Sequence, residues 1–189
     1  MMKRKLVAFI GLFLILSAGG IVLGFAIVIA SPDGPRRFSA WWVGGGYAGT
    51  DGVVLQDKRN NCGPAALQMA FDHFGIASTV KEIEERVGLT ERGSSMLALK
   101  EMAEQKGLRA EGWRLTMEDL LAAPKPCIVF INGDHFALVD SVSKVGEIFL
   151  RDPAAGKLNF PKDKFTPLWR GETLVLRKGS DQANSGNIQ

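Results

Sequence analysis

The sequence predicts an α+β domain in which helices come first and an antiparallel sheet follows. Helix-capping signals crowd residues 61–106, and short β-rich runs separated by turn signals occupy the chain from residue 127 onward. The two kinds of segment do not alternate. Because alternating strands and helices are the mark of a parallel α/β sheet, this order favours helices grouped on an antiparallel sheet.

The predicted helices each carry a start or stop signal. The first ends before Gly75, since glycine readily takes the left-handed conformation of a helix C-cap. The second opens with Thr79 and Glu82, which have the spacing of a capping box. Ser94 or Ser95 can cap the third. These helices span residues 61–74, 80–87 and 95–106, and a short helical turn follows Thr116.

The predicted strands are short, rich in β-branched and aromatic residues, and bounded by turn residues. Their sequences are CIVFIN, HFALVDSV, EIFLRD and ETLVLR, which begin at Cys127, His135, Glu147 and Glu172. Such spacing is typical of consecutive antiparallel strands joined by tight turns.

The N-terminal segment Leu6–Ala30 contains 25 residues without a charge. As a helix it would be roughly 37 Å long, enough to cross a ~30 Å hydrocarbon core. Its length favours an uncleaved anchor, while a long signal sequence cleaved after Ala30 stays open. Lys3, Arg4 and Lys5 precede the span, so the positive-inside rule predicts a single-pass membrane protein whose domain is periplasmic or extracellular.

The chain is therefore expected to have four parts. Residues 1–30 are the membrane anchor or signal, 31–50 a Gly- and Pro-containing linker, 51–178 the folded domain and 179–189 a flexible tail. Trp41 and Trp42 lie in the predicted linker. Two interpretations of these tryptophans remain open, a position at the membrane interface or packing on the domain.

Charge and composition exclude several classes of function. The formal net charge is +3, which the three basic residues before the apolar span supply, so the rest of the chain sums to zero. A neutral domain lacks the basic surface that nucleic-acid binding requires. Two cysteines and two histidines are too few for a zinc site beside any other role. We therefore expect no nucleic-acid partner, no metal and no cofactor.

The segment Cys62-Gly63-Pro64-Ala65 combines a thiol with a helix start. Pro64 suits the first helical turn, where its missing N–H costs nothing. A thiol at a helix N-terminus has a lowered pKa because the helix dipole stabilises the thiolate. Gly63 is expected to leave room for a substrate backbone. Cys62 is thus a candidate nucleophile, although a small buried side chain at a helix start explains it equally well.

A nucleophilic thiolate needs a base, and the chain has two histidines. His73 lies roughly 16 Å along the helix from Cys62 and cannot reach it. His135 opens a strand beside a turn, where it can face a cleft or serve as a core residue. Antiparallel pairing brings Asp152 near His135, where it can accept a ring N–H bond or simply open a turn. Asp134 is the weaker candidate because adjacent strand residues point to opposite faces.

Gln56 lies six residues before Cys62. Its side-chain amide is a candidate hydrogen-bond donor to an oxyanion, together with the backbone N–H of Cys62.

In combination these motifs resemble the double-glycine, or bacteriocin-processing, cysteine peptidases, the papain-like domains of peptide-exporting ABC transporters. The shared pattern is the glutamine before Cys-Gly-Pro-Ala, a His-Phe pair in a strand and Asp-Pro-x-x-Gly one hairpin later, and it covers residues 53–178. The resemblance implies a papain-like fold and cleavage after Gly-Gly in a leader peptide. It also implies that Cys62 is the nucleophile, His135 the base and acid, Asp152 its orienter and Gln56 the oxyanion donor.

Three functions are compatible with this pattern. They are a thiol endopeptidase, a papain-like module that binds a leader without cutting it, and an acyltransferase or amidase with the same triad. The presence of all four site residues favours the endopeptidase, with a leader-bearing peptide as substrate and a separate export machinery as partner. Cys127 follows Pro126 into an apolar strand and is expected to be a buried structural thiol, since a disulfide with Cys62 would block the nucleophile.

Overall fold

The computed structural model describes residues 33–179 and has the α+β organisation that the sequence predicts. The predicted anchor, Leu6–Ala30, and residues 180–189 lie outside the described residues. Between residues 33 and 179, none of the helices has the length and apolar character needed to cross a membrane. In chain order the elements are α1 (Gly34–Trp42), β1 (Gly46–Tyr47), α2 (Cys62–Phe74), α3 (Val80–Val87), α4 (Met96–Gln105), β2 (Leu108–Arg114), α5 (Met117–Ala122), β3 (Cys127–Ile131), β4 (His135–Val142), β5 (Ile148–Asp152), β6 (Gly156–Phe160), α6 (Lys162–Phe165), a 3₁₀ turn (Thr166–Leu168) and β7 (Trp169–Lys178).

The strands of the described region form one antiparallel sheet in the order β1-β6-β5-β4-β3-β7-β2. Strands β3, β4 and β5 follow one another through short turns, as their sequence spacing predicts, and β6 then follows β5 through a further short turn. The last strand, β7, returns to pair with both β3 and β2. Strands β1, β2 and β6 were not anticipated from the sequence.

Both faces of the sheet are buried, which explains why its central strands are apolar almost throughout. Alternate residues of β4 point to opposite faces. Phe136 and Leu138 pack with helices α2, α3 and α4 in one core. Ala137 and Val139 belong to a second core on the other face, which also contains Ala40 of α1 and side chains from α5 and β6.

The predicted caps are present at the ends of α2, α3 and α4, the three helices that pack on the Phe136 side of the sheet. Helix α2 ends at Gly75, whose φ is 74°. The Thr79 side chain accepts from the Glu82 amide at the start of α3, and the Ser95 side chain accepts from the Ala98 amide at the start of α4. Helix α2 is the central element, since its first six residues are all buried.

The segment expected to be a linker is structured from residue 34 onward, which corrects that prediction. Helix α1 and strand β1 occupy it, and β1 pairs with β6. The glycines serve packing here: a Cβ on Gly45 would lie 2.4 Å from the Phe160 ring, and one on Gly46 would lie 2.3 Å from the Asn159 side chain. Trp41 and Trp42 are 68% and 74% exposed, so they do not pack on the domain.

Candidate active site

Cys62 is the first residue of α2, and it is 7% exposed. The preceding residue, Asn61, is the N-cap, but its side chain does not bond the first helical turn. The backbone of Gly63 and of Phe136 and the side chain of His135 surround the Cys62 sulfur and stabilise its thiolate. The thiol therefore lies where the helix start meets the first residues of β4.

His135 joins the thiol to a carboxylate. Its Nε2 atom lies 2.9 Å from Oδ1 of Asp152, which leaves the other ring nitrogen, Nδ1, for Cys62. His135 and Asp152 share one face of the sheet: the register that pairs Leu138 with Arg151 continues to put Ala137 opposite Asp152, and His135 is two residues from Ala137. Asp134, the alternative acid, has no bond to His135 among the contacts of the described residues.

The Asp-Pro-x-x-Gly turn holds the carboxylate in place. Oδ1 of Asp152 also accepts hydrogen bonds from the backbone amides of Ala154, at 2.7 Å, and Ala155, at 3.1 Å. Gly156 closes the turn with a φ of 113°, and a Cβ there would lie 2.6 Å from the Gly49 carbonyl oxygen. Asp152 therefore opens the turn and also bonds His135. The sequence offered these as alternative interpretations, and both are correct.

The electrostatics of the pair favour its charged form. Burial raises the pKa of the Cys62 thiol, but the hydrogen bonds from His135 and from the backbone outweigh it, and the pKa falls below the ordinary value. Burial lowers the pKa of His135, but the bonds to Asp152 and Cys62 outweigh it and raise the pKa to about 10. A thiolate beside an imidazolium is an activated nucleophile with a proton donor at hand.

Gln56 is held in the loop before α2. Its Nε2 atom donates to the Lys58 carbonyl at 2.8 Å, and its backbone N–H donates to the Pro153 carbonyl at 2.9 Å. The latter bond ties the loop to the residue after Asp152. The side-chain oxygen, Oε1, is buried without a hydrogen-bond partner. The structure therefore brings Cys62, His135 and Asp152 together and fixes Gln56 beside them through its backbone.

A buried polar network supports this loop, and sequence reasoning missed it. The Asn61 side chain is fully buried and donates to Oδ1 of Asp57, at 2.6 Å, and to Oε1 of Glu84, at 2.8 Å. Lys58 forms an ion pair with Glu84 and donates its backbone N–H to the Asn61 side chain. A single buried carboxylate on α3 thus anchors the segment between Gln56 and Cys62.

Gly63 has a different purpose from the one predicted. A Cβ at this position would lie 2.3 Å from Oγ of Ser94, 3.2 Å from Leu99 and 3.3 Å from the Phe136 ring. The glycine is required because α2 packs closely against α4 and β4, and the space beside it is already filled by protein.

A cavity of about 360 Å³ opens beside His135 and Asp152. Its other walls come from β6, from the 3₁₀ turn and from the inner face of α1.

Cys127 lies apart from the site: it is fully buried in β3 and has no disulfide partner. Burial raises its pKa to about 12, so it stays a neutral thiol, as the sequence predicted.

A thiol, an imidazole and a carboxylate joined in series, at the meeting of a helix start and an antiparallel sheet, are the arrangement of a thiol hydrolase. Comparison with known proteins gives the family. The chain belongs to the Peptidase C39 family, whose model matches residues 51–181, and it is therefore a cysteine peptidase.

Three similar proteins illustrate the range of this family. An uncharacterized protein of Methanothermobacter thermautotrophicus is 33% identical over 136 residues, which cover 70% of this chain and 93% of that protein. The probable microcin-H47 secretion/processing ATP-binding protein MchF of Escherichia coli is 28% identical over 68% of this chain but only 18% of its own length. A double glycine motif protease from an AMS/PCAT transporter, solved in complex with the leader peptide, has a TM-score of 0.64 and 26% identity, over 67% of this chain and 90% of that one.

Proposed function

We propose that this protein is a membrane-anchored endopeptidase that cleaves after a Gly-Gly pair in a leader peptide. The observation that carries the proposal is the series of contacts from Cys62 through His135 to Asp152. The solved double glycine motif protease supports the choice of substrate, since its fold matches over most of its length.

In this mechanism the Cys62 thiolate attacks the carbonyl carbon of the second glycine. A C–S bond forms, and the carbonyl electrons move to its oxygen. When the tetrahedral intermediate collapses, the peptide C–N bond breaks and His135 gives its proton to the leaving amine. His135, now neutral, takes a proton from water as the water attacks the thioester. The acid product leaves, and the sulfur departs as thiolate beside an imidazolium.

The oxyanion needs donors while the intermediate exists. One is the backbone N–H of Cys62 at the start of α2. The other is the Gln56 amide, whose nitrogen carries two hydrogens. One of them bonds the Lys58 carbonyl, and the second is left for the oxyanion.

The proposal is tested with the full-length chain and a leader peptide that contains Gly-Gly. We expect a single cut after the second glycine, observed by mass spectrometry. Replacing either glycine by alanine should lower kcat/KM at least about a hundredfold, or ~2.7 kcal/mol, because a methyl group would collide with a narrow cleft. Equal cleavage of an Ala-Ala peptide would indicate a broader thiol peptidase. Binding without cleavage would indicate a leader-binding module.

We also propose that the domain faces away from the cytoplasm. The uncharged span Leu6–Ala30 behind three basic residues supports this topology. The exposed rings of Trp41 and Trp42, 11 and 12 residues after the span, are suited to the membrane interface. A protease added to intact cells, with any outer membrane opened, should digest the domain. Protection until the inner membrane is broken would reverse the topology.

A further inference from the structure

Helix α1 presents different chemistry on its two faces. Trp41 and Trp42 lie on the outer face and are largely exposed. Ala40 points inward and is 3% exposed, and it lines the cavity beside the catalytic pair together with Ser39 and the C-cap residue Val43, which is 43% exposed. The same cavity is lined by His135 and Asp152.

This wall belongs to a part of the chain that precedes the Peptidase C39 match, which begins at residue 51. The packing nevertheless holds it in place. The amides of Gly44 and Gly45 donate to carbonyls of α1, and β1 then pairs with β6. Residues of β6 also line the cavity. The pairing of β1 with β6 therefore fixes the position of α1 relative to the cavity.

The chemistry of peptide cleavage decides which end of the substrate meets this cavity. His135 must donate its proton to the nitrogen of the leaving amine, so that nitrogen lies on the His135 side of the scissile bond. The residues that follow the cut leave with the same nitrogen. They therefore run away from Cys62 and over His135, where the cavity opens.

We propose that this cavity is the subsite for the first side chain after the cut, and that α1 is its specificity-determining wall. The inference rests on the proposed endopeptidase function. The far wall from the catalytic pair is apolar and includes Val43, Leu158, Phe160 and Leu168, while the charged side chains of Arg59 and Asp134 also line the cavity. Its volume of about 360 Å³ lies in the lower part of the range of small-ligand pockets, ~300–1,000 Å³. The subsite thus accepts an apolar side chain of medium to large size.

The test measures kcat/KM of the full-length protein on three leader peptides that differ only in the residue after Gly-Gly, which is Ala, Leu or Phe. Val43→Trp should fill the cavity and lower the Leu/Ala ratio of kcat/KM at least about tenfold. Val43→Ala should enlarge it and raise the Phe/Leu ratio about threefold. The matched control, Trp42→Ala, changes the outer face of the same helix and should leave both ratios within about twofold of wild type.

The outcomes separate this inference from the function on which it rests. If wild type cleaves none of the peptides, the endopeptidase proposal fails. If wild type cleaves them and neither Val43 variant changes a ratio, while thermal unfolding shows both to be folded, the cavity is not the subsite and α1 is structural only. An equal change in both ratios for Trp42→Ala would also overturn the assignment, because Trp42 does not line the cavity.

Discussion

The two cysteines of this protein lie in two regions of similar burial and opposite chemistry. Cys62 is 7% exposed and Cys127 is fully buried, and neither forms a disulfide. Cys62 stands at a helix start with hydrogen bonds from His135 and from two backbone positions, and its pKa is lowered. Cys127 stands inside β3 among apolar side chains, and its pKa is about 12.

The comparison shows that burial by itself does not make a thiol inert. Burial disfavours the thiolate at both sites, because a charge loses its solvation there. At Cys62 the fold supplies a cation and N–H donors that replace the lost water. At Cys127 the structure provides only the more distant charge of Lys125, which lowers the pKa less than burial raises it. Reactivity in this fold is therefore a property of the neighbours of the sulfur.

The largest expected difference between the two regions is in catalysis. Cys62→Ala should reduce kcat/KM on a Gly-Gly leader peptide at least about 10⁴-fold, because the nucleophile is lost and water attack is slow. Cys127→Ala is the matched control and should stay within about threefold of wild type, measured on the same peptide. Comparable losses in both variants would mean that activity responds to stability and not to the thiolate.

Chemical labelling compares the two thiols directly. The pKa of Cys62 is lowered by its bonds to His135 and the backbone, whereas burial raises that of Cys127 to about 12. At neutral pH a far larger fraction of Cys62 is therefore thiolate. Iodoacetamide should label Cys62 much faster than Cys127, as read from peptide masses over time. Equal rates would contradict the ion pair at Cys62.

Much of this arrangement was predictable because the helix ends are chemically marked. Gly75, Thr79 and Ser95 define the ends of α2, α3 and α4 in the structure as they do in the sequence. The order of strands after residue 127 likewise brings His135 to Asp152 through consecutive hairpins. Local signals suffice here because each contact is made between neighbouring elements.

Helix α1 was not predictable because its sequence contains loop signals. Gly34, Pro35 and the three glycines after Trp42 all favour turns. In the structure, Gly45 and Gly46 instead permit close packing against Phe160 and Asn159, which lie far along the chain. Such a use of glycine is visible only when the packed partner is known.

Glu84 was missed for a related reason. On an amphipathic segment with five charged residues in eight, VKEIEERV, a glutamate is expected to face solvent. In the structure it is 9% exposed and bonded to both Asn61 and Lys58. Only the packing of α3 beside the loop before Cys62 explains its burial.

The next prediction changes the charge that distinguishes the Cys62 region. Asp152→Ala removes the hydrogen bond and charge that raise the pKa of His135, and kcat/KM should fall about a hundredfold, or ~2.7 kcal/mol. In wild type the imidazolium is lost as pH rises through about 10. Without Asp152, burial is less opposed, so the alkaline limb of the pH–rate profile should move to lower pH.

Asp134→Ala is the comparison for this change, because Asp134 is next to His135 in sequence and lines the same cavity but does not bond the imidazole. Its pH–rate profile should keep the alkaline limb of wild type. A shift of the limb in the Asp134 variant, and none in the Asp152 variant, would show that Asp134 and not Asp152 orients the imidazole.

The smallest expected effect concerns the stability of the Cys127 region. Cys127→Ser puts a hydroxyl into an apolar core, where an unsatisfied polar group costs about 1–3 kcal/mol. The free energy of unfolding, measured in denaturant, should decrease by that amount. Cys62→Ser should decrease it less, because the His135 ring and the backbone amides beside the sulfur can bond a hydroxyl as they bond the thiol. If the Cys62 variant proved the less stable of the two, the ion pair at the active site would be contributing to folding, and the separation between a reactive region and a structural region would have to be abandoned.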